Sequence, residues 1–130
     1  MICFRIGIFR GTFTLQTLTI TRPDDWHVHF RDDLLLQHTA PATAQHFSRA
    51  LVMPNLKPAL TSVAAVLAYR ERIMAALGNQ NFTPFMTLYL NEQVLPDDLA
   101  QAKQQPYILG AKLYPAGATT NSEEGARSLQ

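Results

Sequence analysis

Two histidines and an arginine alternate with apolar residues in Asp25-Trp26-His27-Val28-His29-Phe30-Arg31-Asp32. In extended backbone, successive side chains point to opposite faces, so His27, His29 and Arg31 share one face and Trp26, Val28 and Phe30 the other. Imidazole is the commonest protein ligand for transition metals, and two imidazoles at i and i+2 of a strand can converge on one ion. An arginine one step further suits an anionic group beside that ion, because its planar fork gives a carboxylate two parallel bonds. The plainer alternative is a strand with two solvent-facing histidines.

A second unusual position is Lys112, inside the apolar run Ile108-Leu109-Gly110-Ala111-Lys112-Leu113-Tyr114. Lysine is almost never fully buried without a partner. Either its ammonium snorkels from the end of the sheet, or it is desolvated, with a depressed pKa and nucleophilic character. A neutral amine beside two metal ions could take up carbon dioxide and become an anionic bridging ligand. His38 and His46 have no partner at metal-ligand spacing and read as ordinary helix-surface or packing histidines.

The elements that must position these groups follow in order. The first twenty residues are apolar-rich, but Arg5, Gly7, Arg10 and Gly11 interrupt them and no small-residue cleavage pattern follows, so they form neither a signal peptide nor a membrane span. Residues 1–13 read as an N-terminal extension without a clear role, and residues 14–130 as one domain. Thr14 to Ile20 is rich in β-branched residues and reads as a strand. The histidine strand runs from Asp24 to Phe30, and Asp32 or Asp33 caps a helical stretch from Leu34 to about Phe47 that Pro41 breaks. Ala50 to Met53 is an apolar run ended by Pro54, the pattern of a strand buried on both faces, and Asn55 lies just past it. Thr61 or Ser62 starts a helix to Leu77 with Val63, Val66, Leu67, Arg70, Ile73, Met74 and Leu77 on one stripe, and Gly78 stops it. Phe82 to Leu90 is the next strand. Pro96 opens a short helix that ends before Pro106, and the Lys112 strand closes at Pro115.

Strand and helix alternate from residue 24 onward, which predicts an α/β fold of βαβ units on a parallel sheet. About three such units are present, whereas a closed (β/α)8 TIM barrel takes roughly 250 residues. The expectation is therefore a small open α/β domain or the front half of a barrel. With 47% hydrophobic and 16% charged residues the chain can build a core. Its net charge of +1, with basic residues scattered, gives no nucleic-acid or membrane footprint and leaves a small-molecule substrate as the expectation. The single Cys3 cannot form an internal disulfide, which fits a cytoplasmic protein.

Three blocks, Pro23 to Asp32, Val52-Met53-Pro54-Asn55 and Ala111 to Ser122, resemble in order the dihydroorotase family of the bacterial homodimeric type, within the amidohydrolases. The resemblance implies the N-terminal part of a TIM barrel in which two Zn2+ ions activate water for reversible hydrolysis of the cyclic amide of dihydroorotate to carbamoyl-aspartate, in pyrimidine biosynthesis. By the family pattern His27 and His29 ligate one zinc, carboxylated Lys112 bridges both, Arg31 and Asn55 hold the substrate carboxylate, and Thr119 and Thr120 reach the substrate from a lid. Gly117 departs from the asparagine common in the family, and the similarity fades after Ser122. The family's remaining ligand histidines and its catalytic aspartate belong to later strands, so no general base is expected among these 130 residues. The expectation is thus a fragment of a dihydroorotase, homodimeric when full length and inactive as this piece alone. A related cyclic amidase such as an allantoinase, or a non-catalytic truncated remnant that only binds a metal or a partner, is the alternative.

Overall fold

Four parallel strands in the order β3-β4-β5-β6 form the main sheet. The computed structural model describes residues 2–6, 16–118 and 120–128. Ahead of the sheet, β1 (Ile2–Ile6) and β2 (Gln16–Ile20) pair antiparallel in a two-stranded ribbon. Part of the stretch to which the sequence gives no role thus pairs with the expected strand. Thr14 and Leu15 lie outside the described residues.

The sheet is built as expected from βαβ units: β3 (Asp24–Val28), α1 (Asp33–His46), β4 (Arg49–Val52), α2 (Val63–Leu77), β5 (Thr83–Leu90), α3 (Pro96–Lys103) and β6 (Ile108–Leu113). Each neighbouring pair of strands is parallel. Helix starts follow local chemistry. The Ser62 hydroxyl accepts from the Ala65 amide at 3.2 Å, and the Asp98 carboxylate accepts from the Leu95 amide at 3.0 Å, so orphan donors at both starts are satisfied. Gly78 ends α2 at φ 57°, a conformation open to glycine.

Pro41 does not break α1, which runs unbroken from Asp33 to His46. A proline inside a helix costs about 3 kcal/mol. Here it is flanked by Ala40 and Ala44, both buried against the core with Leu36, and that packing outweighs the lost hydrogen bond. His38 and His46 are exposed on this helix, as expected.

The core joins Phe30, Leu36, Val52, Val66, Ile73, Leu77, Met86 and Leu88 between the helices and the sheet. Burying each such side chain contributes about 1.5–3 kcal/mol. Tyr69, absent from the expected α2 stripe, is wholly buried there. Two expectations fail at the sheet edges, where only one neighbouring strand covers the backbone. Trp26 does not join Phe30 in an apolar layer: on edge strand β3 it is 53% exposed, with Arg49 5.6 Å from its ring centre. Lys112 on edge strand β6 is half-buried rather than buried, beside exposed Leu109 and Leu113. Among the described residues no helix is long and apolar enough to cross a membrane.

Candidate metal and anion site

The carboxyl ends of β3, β4 and β6 open onto one cleft of about 520 Å3, lined by His27, His29, Arg31, Asn55, Lys112, Tyr114 and Thr120. Six of these are sequence-predicted site residues, from three separate stretches of chain. Thr119, the seventh, lies outside the described residues. The parallel order places these strand ends side by side, and that is where α/β sheets and barrels build their sites.

His27 and His29 converge as the alternation requires. Their Nε2 atoms stand 3.2 Å apart, and the rings are tilted by 55°. Two nitrogens bound at about 2.0–2.1 Å to one tetrahedral ion are separated by roughly 3.3–3.4 Å. The observed pair fits a shared metal. Burial lowers the pKa of His29, and Arg31, His27 and Lys112 lower it further, against a raising hydrogen bond with Asn55. Each lowering cause favours the neutral imidazole that a metal requires. Among the described residues no group of three His, Cys, Asp or Glu could by itself hold a metal ion. Any third donor from these residues must be of another type, and Lys112, Asn55, Tyr114 and Thr120 share the cleft.

Arg31 follows the strand at φ 62°, outside the regular extended conformation. Its Nη1 is buried and has no hydrogen-bond partner among the described residues. Arg31 also lines the cleft, and a desolvated guanidinium N–H without a partner among these residues is suited to an anion.

Asn55, 3% exposed, is the junction between the cleft and the loop after β6. Its Nδ2 donates to the Thr120 carbonyl at 2.9 Å, and its Oδ1 accepts from the Tyr114 hydroxyl at 3.4 Å. Its own carbonyl accepts from Asn121 Nδ2 at 3.3 Å. Because the Thr120 carbonyl can only accept, the amide must turn its nitrogen toward the loop. Burial raises the Tyr114 pKa, with Tyr89 adding to it, so the phenol stays a donor. Tyr114 stacks on Tyr89, with ring centres 5.2 Å apart and planes at 25°.

The loop folds back on the end of β6. The Ala126 amide donates to the Tyr114 carbonyl at 2.8 Å, the Gly117 amide to the Ser122 carbonyl at 2.9 Å, and Asn91 Nδ2 to the Glu124 carbonyl at 2.9 Å. Sequence reasoning missed Tyr69, Tyr114 and Asn121 as partners of the site. Tyr114 and Asn121 carried a signal as part of the Ala111 to Ser122 block, and Tyr69 carried none.

The amidohydrolase family profile matches residues 20–130, and so continues past Ser122, where the sequence resemblance fades. The chain is 52% identical over 117 residues to a dihydroorotase of Idiomarina loihiensis, covering 89% of this chain and 34% of the relative. A dihydroorotase of Ruegeria pomeroyi is 57% identical over 115 residues, 88% of this chain and 33% of its own. Among solved structures, a dihydroorotase from Campylobacter jejuni superposes with a TM-score of 0.75 at 44% identity, covering 82% of this chain and 31% of that one. A Saccharomyces cerevisiae dihydroorotase in complex with 5-fluoroorotic acid gives a TM-score of 0.73 at 36% identity, covering 79% and 28%. The chain thus spans about a third of the length of the curated relatives it matches. Its four parallel strands and three crossover helices are part of a (β/α)8 barrel.

Proposed function

The chain belongs to the amidohydrolase family, and from that premise we propose that it is the N-terminal portion of a dihydroorotase, with residues 14–130 contributing the first strands of the barrel domain. The reaction is the reversible, zinc-dependent hydrolysis of the cyclic amide of dihydroorotate to carbamoyl-aspartate. One observation carries this reading: His27, His29, Arg31, Asn55, Lys112 and Thr120 meet in one cleft at the strand ends.

In this reading His27 and His29 would hold one zinc, and Lys112, carboxylated, would be a further ligand of the two-zinc centre. The ions would supply Lewis-acid activation of water and of the ring carbonyl. Arg31 presents two parallel N–H donors to the substrate carboxylate, and the second N–H of Asn55 Nδ2 adds a third. These contacts orient the ring and serve binding more than bond cleavage. Thr119 and Thr120 reach the substrate from the loop after β6. The general base is assigned to none of residues 1–130. A homodimeric, cytoplasmic enzyme acting on a small molecule completes the reading, and the net charge of +1 without a basic run supports a small-molecule substrate over nucleic acid.

The test is a chimera in which this chain replaces the corresponding third of the Campylobacter jejuni dihydroorotase. Turnover of dihydroorotate is expected. In that chimera His29→Ala should lose zinc and activity together, while Arg31→Lys keeps zinc and raises KM. Loss of zinc in Arg31→Lys, or an unchanged KM, sinks the anchor role. Preference of the chimera for another cyclic amide favours the allantoinase-like alternative.

A further inference from the structure

The turn that carries Arg31 is conformationally costly. Arg31 sits at φ 62° and Asp33 at φ 52°, in the left-handed region that residues with a Cβ seldom adopt. Such backbone persists only where its surroundings over-determine it. Here the surroundings are one face of α2. Tyr69, wholly buried, donates its hydroxyl to the Arg31 carbonyl oxygen. One turn further along the helix, Arg72 grips Asp32 with two parallel bonds, Nε to Oδ1 at 3.1 Å and Nη2 to Oδ2 at 2.6 Å. Asp32 also accepts from the Asp33 amide at 3.0 Å, and the Arg72 guanidinium lies 5.3 Å from the Tyr69 ring centre. Two consecutive residues, Arg31 and Asp32, are therefore held from one helix, and Asp32 in turn holds the Asp33 amide. The same turn carries Arg31 into the lining of the cleft, and its Nη1 has no hydrogen-bond partner among the described residues.

We propose that Tyr69 and Arg72 are positioning residues for an anion-holding Arg31: they clamp the left-handed turn so that its guanidinium stays aimed into the cleft before any ligand arrives. Neither residue lines the cleft. The proposal rests on the reading of Arg31 as a carboxylate anchor. Its physical content is preorganisation. A fork-shaped donor must meet both carboxylate oxygens at once, so a small rotation of its backbone loses one of two bonds. Burial pushes the Tyr69 phenol well above its ordinary pKa, which keeps its proton on the donor.

The test uses 5-fluoroorotic acid as probe, followed by fluorine NMR on the 130-residue chain and on Tyr69→Phe, Arg72→Met and Arg31→Met. The Arg31 Nε–H resonance is recorded in the same samples without ligand. Tyr69→Phe and Arg72→Met should each weaken binding roughly five- to tenfold, the scale of one net hydrogen bond. Each should also move the Arg31 resonance, and neither should weaken binding further once Arg31 is methionine. Equal weakening in the Arg31→Met background, or an unmoved Arg31 resonance in both variants, overturns the proposal. Should the buried Tyr69→Phe not fold, Arg72→Met decides alone, since Arg72 is 47% exposed and outside the core. If the resonance moves while Arg31→Met binds the probe as well as the natural chain, the clamp stands and the anchor reading fails. The resonance decides the clamp whatever the affinity for the probe.

Discussion

A Cβ added to Gly125 would stand 2.4 Å from the carbonyl oxygen of Tyr114. It would also meet the Ser122 carbonyl oxygen at 2.9 Å and the Ala116 amide nitrogen at 3.0 Å. All three are backbone atoms and none can swing aside. The loop after β6 closes onto its own strand only because residue 125 has no side chain.

Gly125→Ala should therefore destabilise the fold by about 1–3 kcal/mol, the usual cost of overpacking. Amide exchange at Ala126, whose N–H donates to the Tyr114 carbonyl, should accelerate with it. Gly110→Ala is the matched control, because a Cβ there meets nothing within 4 Å. Equal urea midpoints for the two variants would refute the close-approach account.

Asn55→Asp should release the loop. A carboxylate oxygen in place of Nδ2 stands against the Thr120 carbonyl, which loses its donor, and a charge is buried there. The expected cost is about 1–3 kcal/mol, with faster proteolysis between residues 117 and 126. Unchanged protection of that segment would show that Asn55 does not hold the loop.

Zinc binding should persist below the pH at which an ordinary histidine protonates. Burial, with Arg31 and His27 beside it, lowers the His29 pKa, so the neutral ligand form survives to more acid conditions than the usual value of about 6.5 allows. Removing a cation with Arg31→Met should raise the pH at which zinc is released. Calorimetric titrations of zinc at several pH values check the direction.

The Asp32–Arg72 pair should contribute to stability at neutral pH and not in strong acid. Partial burial raises the Asp32 pKa, but the Arg72 hydrogen bond and the Asp33 amide together outweigh it, and the net shift is downward. A carboxylate depressed in the folded state stabilises above its unfolded pKa of about 3.9 and loses that contribution as pH falls through the folded value. With Arg72 47% and Asp32 28% exposed, solvent limits the effect to about 0.5–1 kcal/mol. Arg72→Met should be less stable than the natural chain at pH 7, and the gap should close as pH falls below the unfolded value and through the lowered folded one. A stability gap that survives at low pH would point to packing instead.

Local periodicity carried much of this architecture. Alternation along residues 25–32 implied that His27, His29 and Arg31 share a face, and the two imidazoles do meet at 3.2 Å. Ser62 and Gly78 marked the ends of α2 through capping chemistry that depends on one or two neighbours. What escaped was set by distant partners. Pro41 looks like a breaker until Ala40 and Ala44 are seen to pack against the core. Tyr69 reaches a carbonyl 38 residues earlier, and Asn55 holds a loop 65 residues later, so no spacing rule exposes either bond. Lys112 and Trp26 read as buried because their strands are apolar, yet each lies on an edge strand of the sheet.

Trp26 is the chain's single tryptophan, and it stands 53% exposed on edge strand β3 with the Arg49 guanidinium over its ring. It is therefore an intrinsic optical reporter of that edge. Its fluorescence should be red-shifted in the chain as described, and anything that lays apolar side chains against β3, whether another strand or another molecule, should shift the emission to the blue without a dye or a label.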